Sequence, residues 1–235
     1  MKSTPYAAVV FDLDGTLLDT EPFYRSAFYA AARSFGIMLP DGLYSGLVGI
    51  ATRERRSMLS CTLGADFPVE DFIAAYYARR AACLPQRIPL CAGVATVLRR
   101  LRLPKAIATS ASRATAHRHI DRSDLCAEFT HVVTRDDVPN GKPAPDSFLH
   151  AANLLDVAPK NCIAVEDSIP GVTAARRSGM HVVMVTYDTV AEIDRLCVAV
   201  VSRIDAIIDM LGSHATFPEP CSTSGVPTHA ASENR

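Results

Sequence analysis

The chain has 235 residues, 49% of them hydrophobic, and a formal net charge of −1, which allows one large buried core with or without a smaller satellite domain. The arginine pairs Arg55-Arg56, Arg79-Arg80, Arg99-Arg100 and Arg176-Arg177 are scattered, which reads as solvated helix faces and argues against a nucleic-acid footprint. No stretch approaches the roughly 20 apolar residues of a membrane span, the apolar run near Met1 is too short for a signal peptide, and the seven cysteines are odd in number and lack zinc spacing, as expected of reduced thiols in a cytoplasmic protein.

The first element is a strand over 7–11, an apolar run with β-branched residues that leads into Asp12-Leu13-Asp14-Gly15-Thr16-Leu17. An Asp-x-Asp-Gly-Thr stretch taken alone fits a tight turn as well as a catalytic loop, because both recruit the same residues. Helices are expected over 22–35, 52–63 and 69–83, with Gly36, Gly42, Gly46 and Gly49 as breaks and Pro85 and Pro89 as the end. With no convincing strand between 18 and 88, that span reads as a helical domain inserted into a core made of 1–17 and 89–212. The core resumes with a helix over 92–101 and a strand over 105–109, whose end carries Ser110, Ala111 and Ser112. A helix over 114–120, a strand over 131–134 and a turn-rich segment with Gly141-Lys142-Pro143 follow. Asp146 is the expected N-cap of a helix over 147–155. A strand over 162–165 ends at Glu166-Asp167-Ser168, a helix runs from Pro170 to Gly179, and further strands are expected over 181–185 and 198–201 before a helix over 204–211. This alternation predicts an α/β fold with a doubly wound parallel sheet. From 213 to 235 the composition turns to Ser, Thr, Pro, His and Gly, which predicts a flexible tail.

In a parallel sheet the carboxyl ends of the strands share one rim, so Asp12, Asp14, Ser110, Lys142, Glu166 and Asp167 are expected to converge. Each of these segments alone is compatible with an ordinary turn or cap. Together, carboxylates with one lysine and hydroxyl donors suit Mg2+ bridging carboxylate to phosphate.

These residues resemble the motifs of the haloacid dehalogenase superfamily of phosphohydrolases over about 9–201: Asp12-Leu13-Asp14-Gly15-Thr16-Leu17 the first motif, Ser110 the second, Lys142 the third, and Glu166-Asp167-Ser168 the fourth. The helical insert resembles the small cap of the branch that holds β-phosphoglucomutase and sugar phosphatases. The resemblance implies a Rossmann-like core, Asp12 as nucleophile, Asp14 as general acid and base, and Asp12, Asp14, Glu166 and Asp167 as the Mg2+ ligand set. It further implies that Thr16, Ser110, Ala111 and Lys142 meet the phosphate, with Thr16 also fixing Asp14 by a hydrogen bond, and that Arg53 or Arg79 of the cap reaches the substrate. Tyr24 stands where mutase-like chains carry a histidine that restrains hydrolysis of the phosphoenzyme. The expected activity is therefore Mg2+-dependent hydrolysis of a small phosphorylated metabolite, such as a sugar phosphate, by a monomer. The alternatives are a sugar phosphomutase and a non-catalytic binding protein that uses the tail.

Overall fold

A computed structural model describes residues 6–40, 42–47, 52–64, 66–186 and 197–212, of which 52–54 and 212 are described by their backbone alone. Six strands, β1 (Ala8–Phe11), β2 (Lys105–Ala108), β3 (His131–Val133), β4 (Cys162–Glu166), β5 (His181–Val185) and β6 (Ala199–Val201), form one sheet in the order β3-β2-β1-β4-β5-β6. Every pairing is parallel. The six expected strands are all present; the four inner ones, β1, β2, β4 and β5, are short apolar runs largely buried on both faces, as a covered parallel sheet requires, while the edge strands β3 and β6 are only partly covered.

Alternation along β1 divides the core. Ala8 and Val10 join Ala106, Ala108 and Ala164 on one face, where small side chains allow α7 (Asp146–Leu154) and α8 (Ile169–Arg177) to approach closely. Val9 and Phe11 join Ile107, Ile163 and Val165 on the other face, packed with Val94 and Val97 of α5 (Val94–Arg100), Ala116 and Ile120 of α6 (Arg113–Asp121), and Ile207 of α9 (Ala206–Gly212). That second cluster runs on through Leu13, Leu17 and Leu18 into the helices α1 (Glu21–Ser34), α2 (Leu43–Leu47), α3 (Thr52–Leu63) and α4 (Val69–Cys83). At its far end, the fully buried Phe28 ring meets Phe72 and Tyr76 edge-on at centroid distances of 5.2 and 5.4 Å. Burying such a ring contributes about 1.5–3 kcal/mol.

The chain leaves the sheet and returns to it through paired segments. Leu18 bridges Leu90 in antiparallel fashion, Asp19 N donates to Pro89 O at 2.9 Å, and Cys91 N donates to Leu17 O at 2.9 Å. Between these crossings the described residues from 21 to 83 contain no strand.

Two local expectations are corrected. A helix forms at Leu43–Leu47 despite Gly42 and Gly46, because Tyr44 and Leu47 bury against the cap's apolar centre. Helix α7 starts at Asp146 with Pro145 in the capping position, and Asp146 Oδ1 instead accepts from Asn140 N at 3.3 Å and Asn140 Nδ2 at 3.2 Å. The six described cysteines are free thiols, with Cys61 and Cys126 exposed; Cys221 and the expected tail lie outside the described residues. Among the described residues no helix is long and apolar enough to cross a membrane.

Candidate active site

The centre of the rim is a buried cation between two carboxylates. Lys142 Nζ donates to Asp12 Oδ1, to Glu166 Oε1 at 2.5 Å and to the Ala108 carbonyl at 2.8 Å, so all three of its protons are used. Burial works against the ammonium charge, but Asp12 and Glu166 outweigh it and hold Lys142 above the usual lysine range. For Asp12, at the end of β1, burial dominates and pushes the carboxyl up to about 7, with Lys142 pulling it down and Glu166 and Asp14 pushing it further up.

Glu166 does not face the pocket, contrary to its expected place among the metal ligands. It is fully buried, its Oε1 is taken by Lys142, and its Oε2 accepts from Asp167 N, Ser168 N and Ser168 Oγ, each at 3.0 Å. The bare backbone of Gly171 makes this possible, since a Cβ there would lie 1.7 Å from Oε1. Glu166 is therefore a support for Lys142 and for the turn that presents Asp167.

Thr16 also departs from expectation. It is fully buried and donates to Asp167 Oδ1 at 2.8 Å, not to Asp14, and it does not line the pocket where phosphate would enter. Gly15, at φ +90°, passes so close to Asp167 that a Cβ would sit 2.2 Å from its Oδ2. Burial first, then Glu166 and Asp12, raise the Asp167 carboxyl well above the usual range.

Asp14 is held from both sides of the pocket. Tyr24 O–H of α1 donates to its Oδ1 at 3.2 Å, and His119 Nδ1 of α6 lies 3.1 Å from the same oxygen. Burial pushes the Asp14 carboxyl up, but His119, Arg80 and Thr20 together pull it below its usual value. Arg80 of α4 caps this arrangement, with its guanidinium 3.7 Å from the Tyr24 ring centroid. His119 and Arg80 were not legible as site residues. His119 shares the buried face of α6 with Ala116 and Ile120, and a histidine on that otherwise apolar face was the available sign. Arg80 looked like the solvated partner of Arg79, yet only Arg80 lines the pocket, whereas Arg79 Nη1 turns back to Ala75 O of its own helix at 3.4 Å.

These groups open on a cavity of about 600 Å³. The sheet side supplies Asp12, Asp14, Ser110, Lys142 and Asp167, and the insert supplies Glu21, Tyr24, Tyr44, Tyr76 and Arg80. Ser110 is exposed at the end of β2. Ala111 also lines the cavity, but its N–H is spent on Thr109 Oγ1 at 3.1 Å, which removes the expected phosphate donor. The side chain of Arg53 lies outside the described residues.

The donor set fits Mg2+ in part. Among the described residues no three His, Cys, Asp or Glu side chains gather closely enough to form a metal cage. Asp12 and Asp167 both face the cavity as hard oxygen donors, and Gly15 leaves the space that the Asp167 carboxylate fills. Two carboxylates with remaining positions for water and substrate oxygens suit Mg2+, which retains much of its hydration. The Asp14 carboxylate is turned to Tyr24 and His119, so of the four expected side-chain ligands Asp12 and Asp167 are the two that could hold the ion.

The sequence profile of the haloacid dehalogenase-like hydrolase family matches residues 6–179. A phosphorylated carbohydrates phosphatase of Thermotoga maritima is 32% identical over 177 residues, covering 74% of this chain and 82% of the relative. The fructose-1-phosphate phosphatase of Escherichia coli is 32% identical over 203 residues, covering 76% of this chain and 95% of the relative. The crystal structure of a putative β-phosphoglucomutase from Thermotoga maritima superposes with a TM-score of 0.70 at 30% identity, covering 87% of this chain and 98% of that one.

Proposed function

Because the chain belongs to the haloacid dehalogenase-like hydrolases, we propose that its pocket hydrolyses phosphate monoesters of small sugars through an aspartyl-phosphate on Asp12. The observation that carries this reading is the Asp12–Lys142–Glu166 arrangement at the floor of the cavity: Lys142 occupies Asp12 Oδ1 and leaves Oδ2 as the free nucleophilic oxygen. The phosphatase names of both curated relatives support hydrolysis of a sugar phosphate.

Asp12 Oδ2 attacks phosphorus in line, the ester P–O bond breaks, and Lys142 offsets the anionic charge that gathers beside it. Ser110, exposed at the rim, donates its hydroxyl to a phosphoryl oxygen. Asp14, entering this step protonated, gives its proton to the departing alkoxide while His119 Nδ1 holds its Oδ1 at 3.1 Å. In the second step water attacks phosphorus, the bond to Asp12 breaks, and Asp14 takes the proton released. Asp12 and Asp167 would hold Mg2+, which when bound withdraws charge from the phosphoryl oxygens. The helical insert, 18–88, acts as a cap that shuts out bulk water and selects the leaving group. Both sides of the pocket come from one chain, so a monomer contains the whole site.

The test is release of inorganic phosphate by the purified protein with Mg2+ from a panel of sugar phosphates and nucleotides. Sugar phosphates are expected to be the best substrates; no release from any member overturns the reading.

A further inference from the structure

Asp14 is gripped from two separate parts of the fold, and both grips fall on the same oxygen. Tyr24 O–H reaches Oδ1 from α1 at 3.2 Å, and His119 Nδ1 reaches it from α6 at 3.1 Å. A carboxylic acid has one O–H to give, so crowding Oδ1 with these partners leaves Oδ2 as the oxygen to serve the ester. The two grips are not equivalent. Tyr24 belongs to the helical insert, whereas His119 comes from the sheet domain that also carries Asp14, so the His119 contact does not depend on where the insert stands.

His119 is itself fixed in place. Its side chain is only 4% exposed, and the helix that carries it is tied at both ends. At the start of α6, Ser112 Oγ accepts from Thr115 N. At the other end, Arg122 Nη2 donates to Leu84 O at 2.8 Å and to Pro85 O, while Arg122 O accepts from Ile88 N at 2.6 Å. A side chain on such an anchored element is placed more precisely than one on a loop. Packing alone does not call for an imidazole here: Ala116 and Ile120 share the buried face of α6, and a leucine would fill it without a polar atom to satisfy.

Resting on the phosphatase reading, we infer that His119 is a positioning residue for Asp14: its Nδ1–H donates to Oδ1, so that the acidic proton rides on Oδ2 and is aimed at the ester oxygen. As the ester P–O bond breaks, that proton passes from Oδ2 to the departing oxygen. In the second step the attacking water returns a proton to Oδ2 as the bond between Asp12 and phosphorus breaks. The contribution of His119 is therefore tied to how much the leaving group needs a proton. A sugar alkoxide needs one, whereas nitrophenolate leaves as a stable anion.

The experiment measures kcat/KM, with Mg2+, of the wild type, His119→Leu and His119→Asn for p-nitrophenyl phosphate and for the sugar phosphate that the wild type hydrolyses best, with circular dichroism as the check on folding. In His119→Leu the sugar-to-nitrophenyl ratio is expected to fall roughly tenfold or more, a share of the roughly 10²- to 10⁴-fold that a positioned acid supplies. His119→Asn, whose amide nitrogen stands in the place of Nδ1, is expected to restore most of that ratio. If His119→Leu does not fold, His119→Gln, whose amide reaches the place of Nε2 instead, takes its part in the comparison with the same expected fall. A residue that only shapes the site would slow both esters alike, so an unchanged ratio overturns the inference and leaves the phosphatase reading standing. A ratio as low in His119→Asn as in the variant without the donor overturns it too. Failure of the wild type to release phosphate from any sugar phosphate overturns the phosphatase reading itself, and the inference with it.

Discussion

Asp12 and Lys142 form a pair whose members depend on each other unequally. Lys142 retains Glu166 and the Ala108 carbonyl if Asp12 loses its charge, so Asp12→Asn is expected to fold while losing turnover by roughly 10³-fold or more, as removal of a nucleophile does. Circular dichroism and phosphate release on the same preparation check this, and near-wild-type turnover in a folded variant would refute the covalent route. Thr16 is a positioning residue acting through Asp167, which makes a separate prediction. Thr16→Val keeps the shape and removes the donated hydrogen bond, so the Mg2+ concentration for half-maximal rate is expected to rise roughly 10- to 100-fold, the usual cost of losing a ligand's support. An unchanged Mg2+ dependence would remove Asp167 from the metal site. At this scale the sequence displayed Asp12, Asp14, Lys142 and Asp167 openly, because strand ends in a parallel sheet must converge. It concealed Tyr24 as an Asp14 partner, His119, Arg80 and Glu21, whose inward direction depends on how α1, α4 and α6 rotate against neighbours far away in the chain.

Among the elements, α6 matters most for the site because it brings His119 to Asp14 from the core, and its start is tied to the turn after β3. Arg113 N donates to Asp136 Oδ2 at 2.8 Å and the Arg113 guanidinium pairs with Asp137. Asp137 Oδ2 in turn accepts from Thr134 N at 2.8 Å and from Thr134 Oγ1 at 2.6 Å, closing a capping box over the 3₁₀ turn Arg135–Asp137. Burial raises the Asp137 carboxyl, but the Thr134 bonds, Arg113 and His150 together outweigh it and hold it below the usual carboxylate range. A depressed folded value means that Asp137 stabilises the fold above its unfolded pKa of about 3.9 and that this contribution fades as pH falls through the lower folded value. The difference in Tm between the wild type and Asp137→Asn is therefore expected to be full at neutral pH and to shrink below about pH 4. A difference that stays constant from pH 7 to 3 would exclude the linkage. Strands and most helices were legible in the sequence because continuous apolar runs and 3.6-residue periodicity are local properties. Helix α2 was not, since two glycines outweigh its five residues until Phe28 supplies a surface for Tyr44.

For the molecule as a whole, the proposed division of labour between sheet and helical insert would decide what attacks the phosphoenzyme. On the proposed mechanism, hydrolysis and sugar phosphomutation both pass through a phosphorylated Asp12, and they differ in whether water or a sugar hydroxyl arrives next. Tyr24, read from the sequence as the substitute for a restraining histidine, favoured water. The structure weakens that particular argument, because His119 reaches Asp14 from α6 and supplies an imidazole by another route. What distinguishes the present arrangement is that both the cap, through Tyr24 and its Arg80 cover, and the core, through His119, hold the same Asp14 oxygen. Cap and core also share one apolar cluster and a short pair of crossings at Leu18 and Leu90. A mutase must release or turn a bisphosphate inside this pocket before water acts, which requires Asp14 to remain idle toward water while the sugar reorients. Here Tyr24 and His119 hold Asp14 Oδ1 without any contribution from the substrate, which would leave Asp14 a preorganised base for prompt hydrolysis. With β-glucose 1-phosphate and a trace of the bisphosphate, free phosphate is therefore expected to form roughly tenfold faster or more than glucose 6-phosphate, a difference of little more than 1 kcal/mol between the competing barriers. Stoichiometric accumulation of glucose 6-phosphate with little free phosphate would replace the hydrolase by a mutase.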